Sequence, residues 1–125
     1  TGDLKKILAP LVKVRDENKF LAQVFQSIRI EVNDELEVIR TLLSDSSKYI
    51  KKGGRLVCIS YHSLEDRIVK KFIQNGGYND EVPTDFYGKK NFIFKKIGKM
   101  ITPSIEEIKL NNRSRSAKLR IAEKI

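Results

Sequence analysis

The segment Gly53-Gly54-Arg55-Leu56-Val57-Cys58-Ile59-Ser60-Tyr61-His62-Ser63-Leu64-Glu65-Asp66-Arg67 constrains this chain more than any other. A glycine pair makes a tight turn, a short apolar run follows, and a polar knot then opens a helix. An α/β domain presents polar side chains at the carboxyl end of a strand in this way, and such folds build their sites there. The only histidine of the chain, His62, lies in the knot. Arg55 to Ser60 is short, apolar and β-branched, the pattern of a strand covered on both faces. Ser63 is the expected N-cap of the next helix, with Asp66 at the reciprocal capping position three residues on. Leu64, Ile68, Val69, Phe72 and Ile73 form its apolar face, and Asn75-Gly76-Gly77 ends it.

Around this unit the chain reads as helix, strand, helix, strand, short helix, strand. Leu4, Ile7, Leu8 and Leu11 make a brief amphipathic piece interrupted by Pro10. Leu21, Phe25, Ile28, Val32, Leu36, Ile39 and Leu43 step by three and four, which predicts one helix of more than twenty residues. Gln26, Arg29, Asn33 and Arg40 fall beside that stripe, as a solvated flank or as hydrogen-bonding groups lining a cleft. Tyr78 to Asn91 holds Pro83 and Gly88 and reads as a loop. Phe92 to Ile97 is a second strand. Thr102-Pro103-Ser104 leads into a short helix with Ser104 and Glu107 in capping positions. Ala117, Leu119 and Ile121 alternate with Lys118 and Arg120 in a third strand. The fold class is therefore α/β with about three strands. Both edges of so small a sheet stand open, which predicts self-association through an edge or through the long helix.

At 125 residues the chain supports one modest core. The single cysteine, Cys58, sits in an apolar run, which excludes a disulfide framework or zinc cluster and predicts a buried, inert thiol. No apolar run approaches a membrane span and no signal-peptide pattern opens the chain, so a cytoplasmic location is expected. Charge is lopsided. Residues 1–88 carry 14 Lys/Arg against 13 Asp/Glu, whereas residues 89–125 carry 11 against 3. A basic block of this kind points to a polyanion, and RNA or DNA is the usual one.

Chemistry concentrates in two places. His62 can act as a general acid or base, with Ser63, Glu65, Asp66 and Arg67 orienting it or holding a ligand. It can equally satisfy a local hydrogen bond at a helix start. The stretch Asn112-Arg113-Ser114-Arg115-Ser116-Ala117-Lys118 suits nucleic acid, because arginine offers bidentate donors to phosphate and short polar groups add neutral hydrogen bonds. Lys89, Lys90, Lys95, Lys96 and Lys99 extend that positive surface. Phe86, Tyr87 and Phe92 either stack on unpaired bases or pack locally. The glycine pairs form neither G-x-G-x-x-G nor a P-loop, so these residues hold no recognisable place for a nucleotide-like cofactor. One histidine excludes a histidine-rich metal site.

Three blocks, in order and at matching spacing, resemble one family. They are Phe25-Gln26-Ser27-Ile28-Arg29-Ile30-Glu31-Val32-Asn33-Asp34-Glu35-Leu36, the Gly53 to Lys70 segment, and Pro103-Ser104 through Glu106-Glu107-Ile108 to Arg113-Ser114-Arg115-Ser116-Ala117-Lys118-Leu119-Arg120. The family is the bacterial S-adenosylmethionine-dependent methyltransferases that modify cytosine N4 in small-subunit ribosomal RNA. The resemblance implies the C-terminal part of a Rossmann-like methyltransferase fold, with the last strand lying between the other two and antiparallel to them. Residues 1–18 would be the tail of an inserted helical domain, and 19–125 the C-terminal half of the methyltransferase domain. The S-adenosylmethionine-binding residues would lie in an N-terminal part not present here, leaving this chain inactive alone. Lys19-Phe20-Leu21-Ala22-Gln23 departs from the family's pattern ahead of the Phe-Gln pair, Asn112 stands where a proline is common, and Tyr61 replaces a phenylalanine.

By that resemblance His62 and Asp66 are candidate catalytic residues. Gln26, Arg29, Asn33, Ser63, Arg67, Asn111, Arg113, Arg115, Ser116 and Lys118 are candidates for holding RNA, either a flipped cytosine or nearby phosphates. The implied partner is ribosomal RNA or the small subunit. Two other readings stay open on the residues alone: a stand-alone RNA-binding module without cofactor, and a degenerate enzyme domain kept as a scaffold.

Overall fold

The computed structural model describes residues 1–11, 16–76, 86 and 92–125. Tyr87, Lys89, Lys90 and nearly all of the expected 78–91 loop fall outside the described residues; Phe86, which is described, is fully exposed. The element order is α1 (Gly2–Leu8), a 3₁₀ turn (Ala9–Leu11), α2 (Glu17–Val32), α3 (Glu35–Tyr49), β1 (Arg55–Ser60), α4 (Ser63–Asn75), β2 (Phe94–Ile101), α5 (Ile105–Leu110), a second 3₁₀ turn (Asn112–Ser116) and β3 (Lys118–Lys124). Contacts divide the chain into two compact units, Thr1–Glu35 and Leu36–Ile125. In the first, Leu21 is buried.

The long helix expected over Leu21 to Leu43 is two helices. Asp34 takes a left-handed conformation, φ 50°, and the Asn33 and Asp34 N–H groups close back onto the Arg29 and Glu31 carbonyls. Asparagine and aspartate tolerate that geometry because their short polar side chains bond locally, so the apolar spacing continues while the backbone breaks.

The second unit is an α/β layer. Its sheet runs β1-β3-β2, with β3 antiparallel to both neighbours, the order the resemblance implies. Leu43 of α3 and Ile68, Val69, Phe72 and Ile73 of α4 pack with Phe94 and Ala122, and Leu56 and Cys58 lie against the same cluster. Phe72 and Phe94 meet with ring centroids 5.7 Å apart. The covered face of the sheet therefore carries Leu56, Cys58, Phe94 and Ala122.

The other face is apolar and open. Val57 stands opposite Ile121 and Ile59 opposite Leu119, while Ile97 and Ile101 pair with the same two β3 residues from β2. Val57, Ile59 and Ile101 are 55, 58 and 53% exposed. This corrects the expectation that β1 is covered on both faces. Within this unit α3 and α4 pack into the core on one side of the sheet only.

Gly53 and Gly54 turn the chain into β1 and tie it to the end of β3. The Gly53 N–H donates to the Lys124 carbonyl and the Lys124 N–H to the Gly54 carbonyl, both at 2.8 Å. Gly53 has φ 81°, and a Cβ on Gly54 would sit 2.7 Å from Ile50 Cγ2 and 2.8 Å from the Lys51 carbonyl oxygen. Gly54→Ala is expected to cost about 1–3 kcal/mol, the usual penalty of forcing a methyl into occupied space. Denaturant unfolding measures it, and an unchanged midpoint would contradict this account of the turn.

Candidate functional site

Strand register brings the two chemically loaded segments to one end of the sheet. Ser60, the last residue of β1, pairs with Lys118, the first residue of β3. His62 and Ser63 leave the sheet just beyond Ser60, and the Asn112–Ser116 turn enters just before Lys118. The knot and the arginine-rich turn, 50 residues apart in sequence, thus emerge side by side. Arg113, Arg115 and Ser116 are exposed there, while Ser114 is buried with its hydroxyl donating to the Asn111 carbonyl at 2.7 Å. Asn111 serves structure: its Oδ1 accepts the Arg113 N–H at 3.1 Å and caps the turn.

The helix start differs from expectation by one residue. His62, in extended conformation, is the N-cap of α4, and Glu65 rather than Asp66 is its reciprocal partner. Glu65 Oε2 accepts from the backbone N–H of Tyr61 at 3.2 Å and of His62 at 3.3 Å. Its carboxylate closes the capping box and sits in the first turn, where the helix dipole favours negative charge. The backbone of His62, a half-buried residue, is thus fixed at the base of the knot by these hydrogen bonds. Ser63 and Arg67 are exposed on the same turn.

Asp66 is freed from capping and faces the sheet. It is buried, and its two oxygens accept from Arg120 Nε at 2.7 Å and Arg120 Nη2 at 3.0 Å, a bidentate pair across 54 residues of sequence. Lys118 Nζ lies 3.6 Å from the same carboxylate. The hydrogen bond from Arg120 holds the Asp66 carboxyl below its ordinary value, overcoming burial, and the charges of Arg120 and Lys118 act in the same direction. A carboxylate in that state is a weak proton acceptor and a strong anchor. Asp66 thus holds the start of the helix that bears His62 against the middle strand.

On α2 the structure gathers Arg29 and Asn33 around one acid that sequence reasoning passed over. Arg29 contacts Glu35 at 2.9 and 3.1 Å, and the Asn33 amide donates to Glu35 Oε1 at 3.2 Å. Glu35 reaches both because the backbone turns at Asn33–Asp34, a break that helical spacing does not announce. Gln26 lies half-buried on the same helix. Arg120 was also overlooked as a partner. Its signal was a charged residue two positions from Ala122, on the face of β3 that α4 covers.

Two grooves flank these groups. A space of about 450 Å³ runs along the free edge of β1, lined by Ile39, Leu42, Val57, Ile59, Tyr61 and Glu65 among others. Cys58 borders it, and burial pushes its thiol up, which keeps it protonated and unreactive. A second, narrower cleft lies between α4 and β2. Among the described residues no helix is long and apolar enough to cross a membrane.

Residues 1–125 match the MraW methylase family along their whole length. The chain belongs to that family. It is similar to the ribosomal RNA small subunit methyltransferase H of Flavobacterium johnsoniae, 54% identical over 125 residues that cover all of this chain and 41% of that protein. The Flavobacterium psychrophilum protein of the same name is 56% identical over 99% of this chain and 43% of its own length. That of Cytophaga hutchinsonii is 51% identical over 99% and 42%. This member of the MraW methylase family thus spans about two fifths of the length of the curated relatives it matches.

The ion pair at the heart of the site gives a direct test. Asp66→Asn or Arg120→Met is expected to destabilise the protein by about 1–3 kcal/mol, since the first leaves the partly buried Arg120 without its bidentate anion and the second leaves buried Asp66 with Lys118 alone. The double replacement Asp66→Asn with Arg120→Met should cost clearly less than the two single losses added together. The depressed Asp66 pKa fixes the sign with pH. Its stabilisation is fully present above the ordinary aspartate value of about 3.9 and is lost as pH falls through the lower folded value. Asp66→Asn should flatten that acid limb. Additive single effects, or an unchanged acid limb, would contradict the assignment.

Proposed function

We propose that this chain is part of an enzyme that transfers a methyl group from S-adenosylmethionine to the N4 of a cytidine in small-subunit ribosomal RNA. The observation that carries the reading is the Ser60–Lys118 register, which sets His62 and the arginine-rich turn at one end of the sheet. The names of the relatives supply the substrate class. In this reading residues 1–18 are the tail of an inserted helical domain and 19–125 the C-terminal half of the catalytic domain, working in the cytoplasm.

The sheet supports a larger whole. β2, one outer strand, is guarded: Lys95 and Lys99 line it, Gly98 has φ 64°, and its register slips between Ile97 and Ile101. Lysines and bulges are how natural edges avoid further pairing. β1, the other outer strand, carries Leu56, Val57, Cys58 and Ile59 with no such device and pairs only with β3 among the described residues. Its free edge and the open face bearing Val57 and Ile59 are where further strands and helices of the complete protein would pack. Deprived of them, the same edge is where the isolated span would self-associate.

The grooves of this span do not fit S-adenosylmethionine. The larger one is lined mostly by apolar side chains, and its one carboxylate, Glu65, is already bound to two backbone N–H groups. The methyl donor is therefore assigned to residues outside this span, and no step is routed through it here.

This chain's own residues serve the RNA. Arg67, Arg113, Arg115 and Lys118 supply positive charge for phosphates, and Ser63, Ser116 and Asn111 supply neutral hydrogen bonds. Gln26, Arg29 and Asn33, in the other unit, are proposed as RNA contacts in their own right, with Arg29 and Asn33 held by Glu35. A cytosine amine is a poor nucleophile until it is aligned and can lose a proton, and His62 is the group proposed to accept that proton at its imidazole. Asp66 acts as a positioning residue.

Methyl transfer from labelled S-adenosylmethionine to small ribosomal subunits by the full-length protein tests this. Label is expected at cytidine N4, and His62→Ala should lower the rate by about 10²–10⁴-fold, the range of general acid–base catalysis. Label at another atom would overturn the reaction, and a His62→Ala rate within about twofold would remove His62 from the mechanism.

A further inference from the structure

The cleft between α4 and β2 is lined by Lys70 and Ile73 from the helix, Lys96, Lys99 and Met100 from β2, and Arg120 from β3. Its cations differ in state. Arg120 is neutralised by Asp66, and its Nη2 also lies 3.5 Å from Met100 Sδ. Lys70, Lys96 and Lys99 are exposed, and no carboxylate among the described residues forms an ion pair with any of them. Three ammonium groups around one apolar floor, with no ion-pair partner among the described residues, repel one another and favour an anion between them.

Edge protection accounts for Lys99 on β2 but not for Lys70, which is on α4. Nor does it account for Lys96, which stands opposite Ala122 on the covered side of the sheet. The size of the cleft limits what can bind. Its enclosed space is about 10 Å³, room for a single water and far too small for a base or a sugar. A ligand must lie across the rim and present oxygens to the three ammonium groups. Lysine suits that task, being a hydrated point charge on a flexible stem that binds phosphate without reading sequence.

We infer that the α4–β2 cleft is a second RNA-contacting site that binds the phosphodiester backbone away from the modified nucleotide. This rests on the reading above that the protein acts on RNA. Lys70 is seven residues along α4 from Ser63, about 10 Å along the helix axis, so one helix connects the cleft to the reactive end of the sheet. A strand held at both places is clamped at two points, and the cleft adds affinity without adding base specificity.

The test uses the full-length protein and a single-stranded RNA oligonucleotide, with binding followed as a function of salt. Each lost phosphate contact on single-stranded nucleic acid should lower the slope of log affinity against log salt by about 0.7. Lys70→Gln with Lys96→Gln and Lys99→Gln should therefore reduce the slope by about 2 and weaken binding at low salt. Lys51→Gln with Lys52→Gln, on the turn before β1, should leave the slope unchanged. Thermal unfolding checks that the triple variant is folded. Should it not be, Lys70→Gln alone, at an exposed helix position, is expected to reduce the slope by about 0.7. An unaltered slope in the folded variant, beside strong salt dependence in the parent protein, would overturn the cleft proposal alone. Absent or salt-independent binding by the parent protein would overturn the RNA reading with it.

Discussion

Asp66 and Arg120 form the contact on which the arrangement of the second unit depends. The pair joins the first turn of α4 to the middle strand, and β3 in turn holds both outer strands. Because the partners lie on opposite sides of a packed layer, the pair fixes the register of helix against sheet as apolar packing alone does not. Leucine and isoleucine contacts tolerate small slides, whereas a bidentate guanidinium–carboxylate pair accepts one geometry. His62 stands one turn before Asp66 at the same helix start, so its position follows from the pair.

The division of labour between the two acids of that turn is a matter of one residue. Glu65 points back along the helix and closes the cap, while Asp66 points to the sheet and meets Arg120. Removing the first carboxylate would take the acceptor from the backbone N–H groups of Tyr61 and His62, and removing the second would leave Arg120 without its bidentate partner. The sheet is similarly asymmetric. On the helix-covered side Asp66 compensates Arg120, and the apolar stripe of Val57, Ile59, Leu119 and Ile121 sits on the open side. The two outer edges differ as well: β2 is guarded by lysines and a bulge, and β1 is not.

Local signals marked what local physics decides. β1 occupies Arg55–Ser60 as its β-branched run indicates, α4 ends at a left-handed Gly76, and Ser104 caps α5 by accepting the Glu107 N–H. The antiparallel middle position of β3 was implied by family resemblance, since three strands with no visible pairing signal admit several orders. Other features were not legible because they depend on distant partners or on one backbone torsion. The break at Asn33–Asp34 interrupts an unbroken apolar stripe, and only the positive φ of Asp34 reveals it. β2 runs Phe94–Ile101 rather than 92–97, because its pairing with β3 continues through a bulge at a glycine. Asp66 looked like a cap because Ser63 precedes it by three, and nothing nearby announces a partner at position 120. The arginine-rich segment reads as a run of charge, yet it folds as a 3₁₀ turn around buried Ser114.

The central claim is that the Asp66–Arg120 pair holds the start of α4, and with it His62, against the sheet. Native-state amide hydrogen exchange over Asp66 to Val69 in Arg120→Met measures this most directly. The account predicts that protection in these first turns falls toward that of a frayed helix end, while amides near Phe72 and Ile73, held by the core, lose much less. Equal loss along the whole of α4, or none in its first turns, would contradict it.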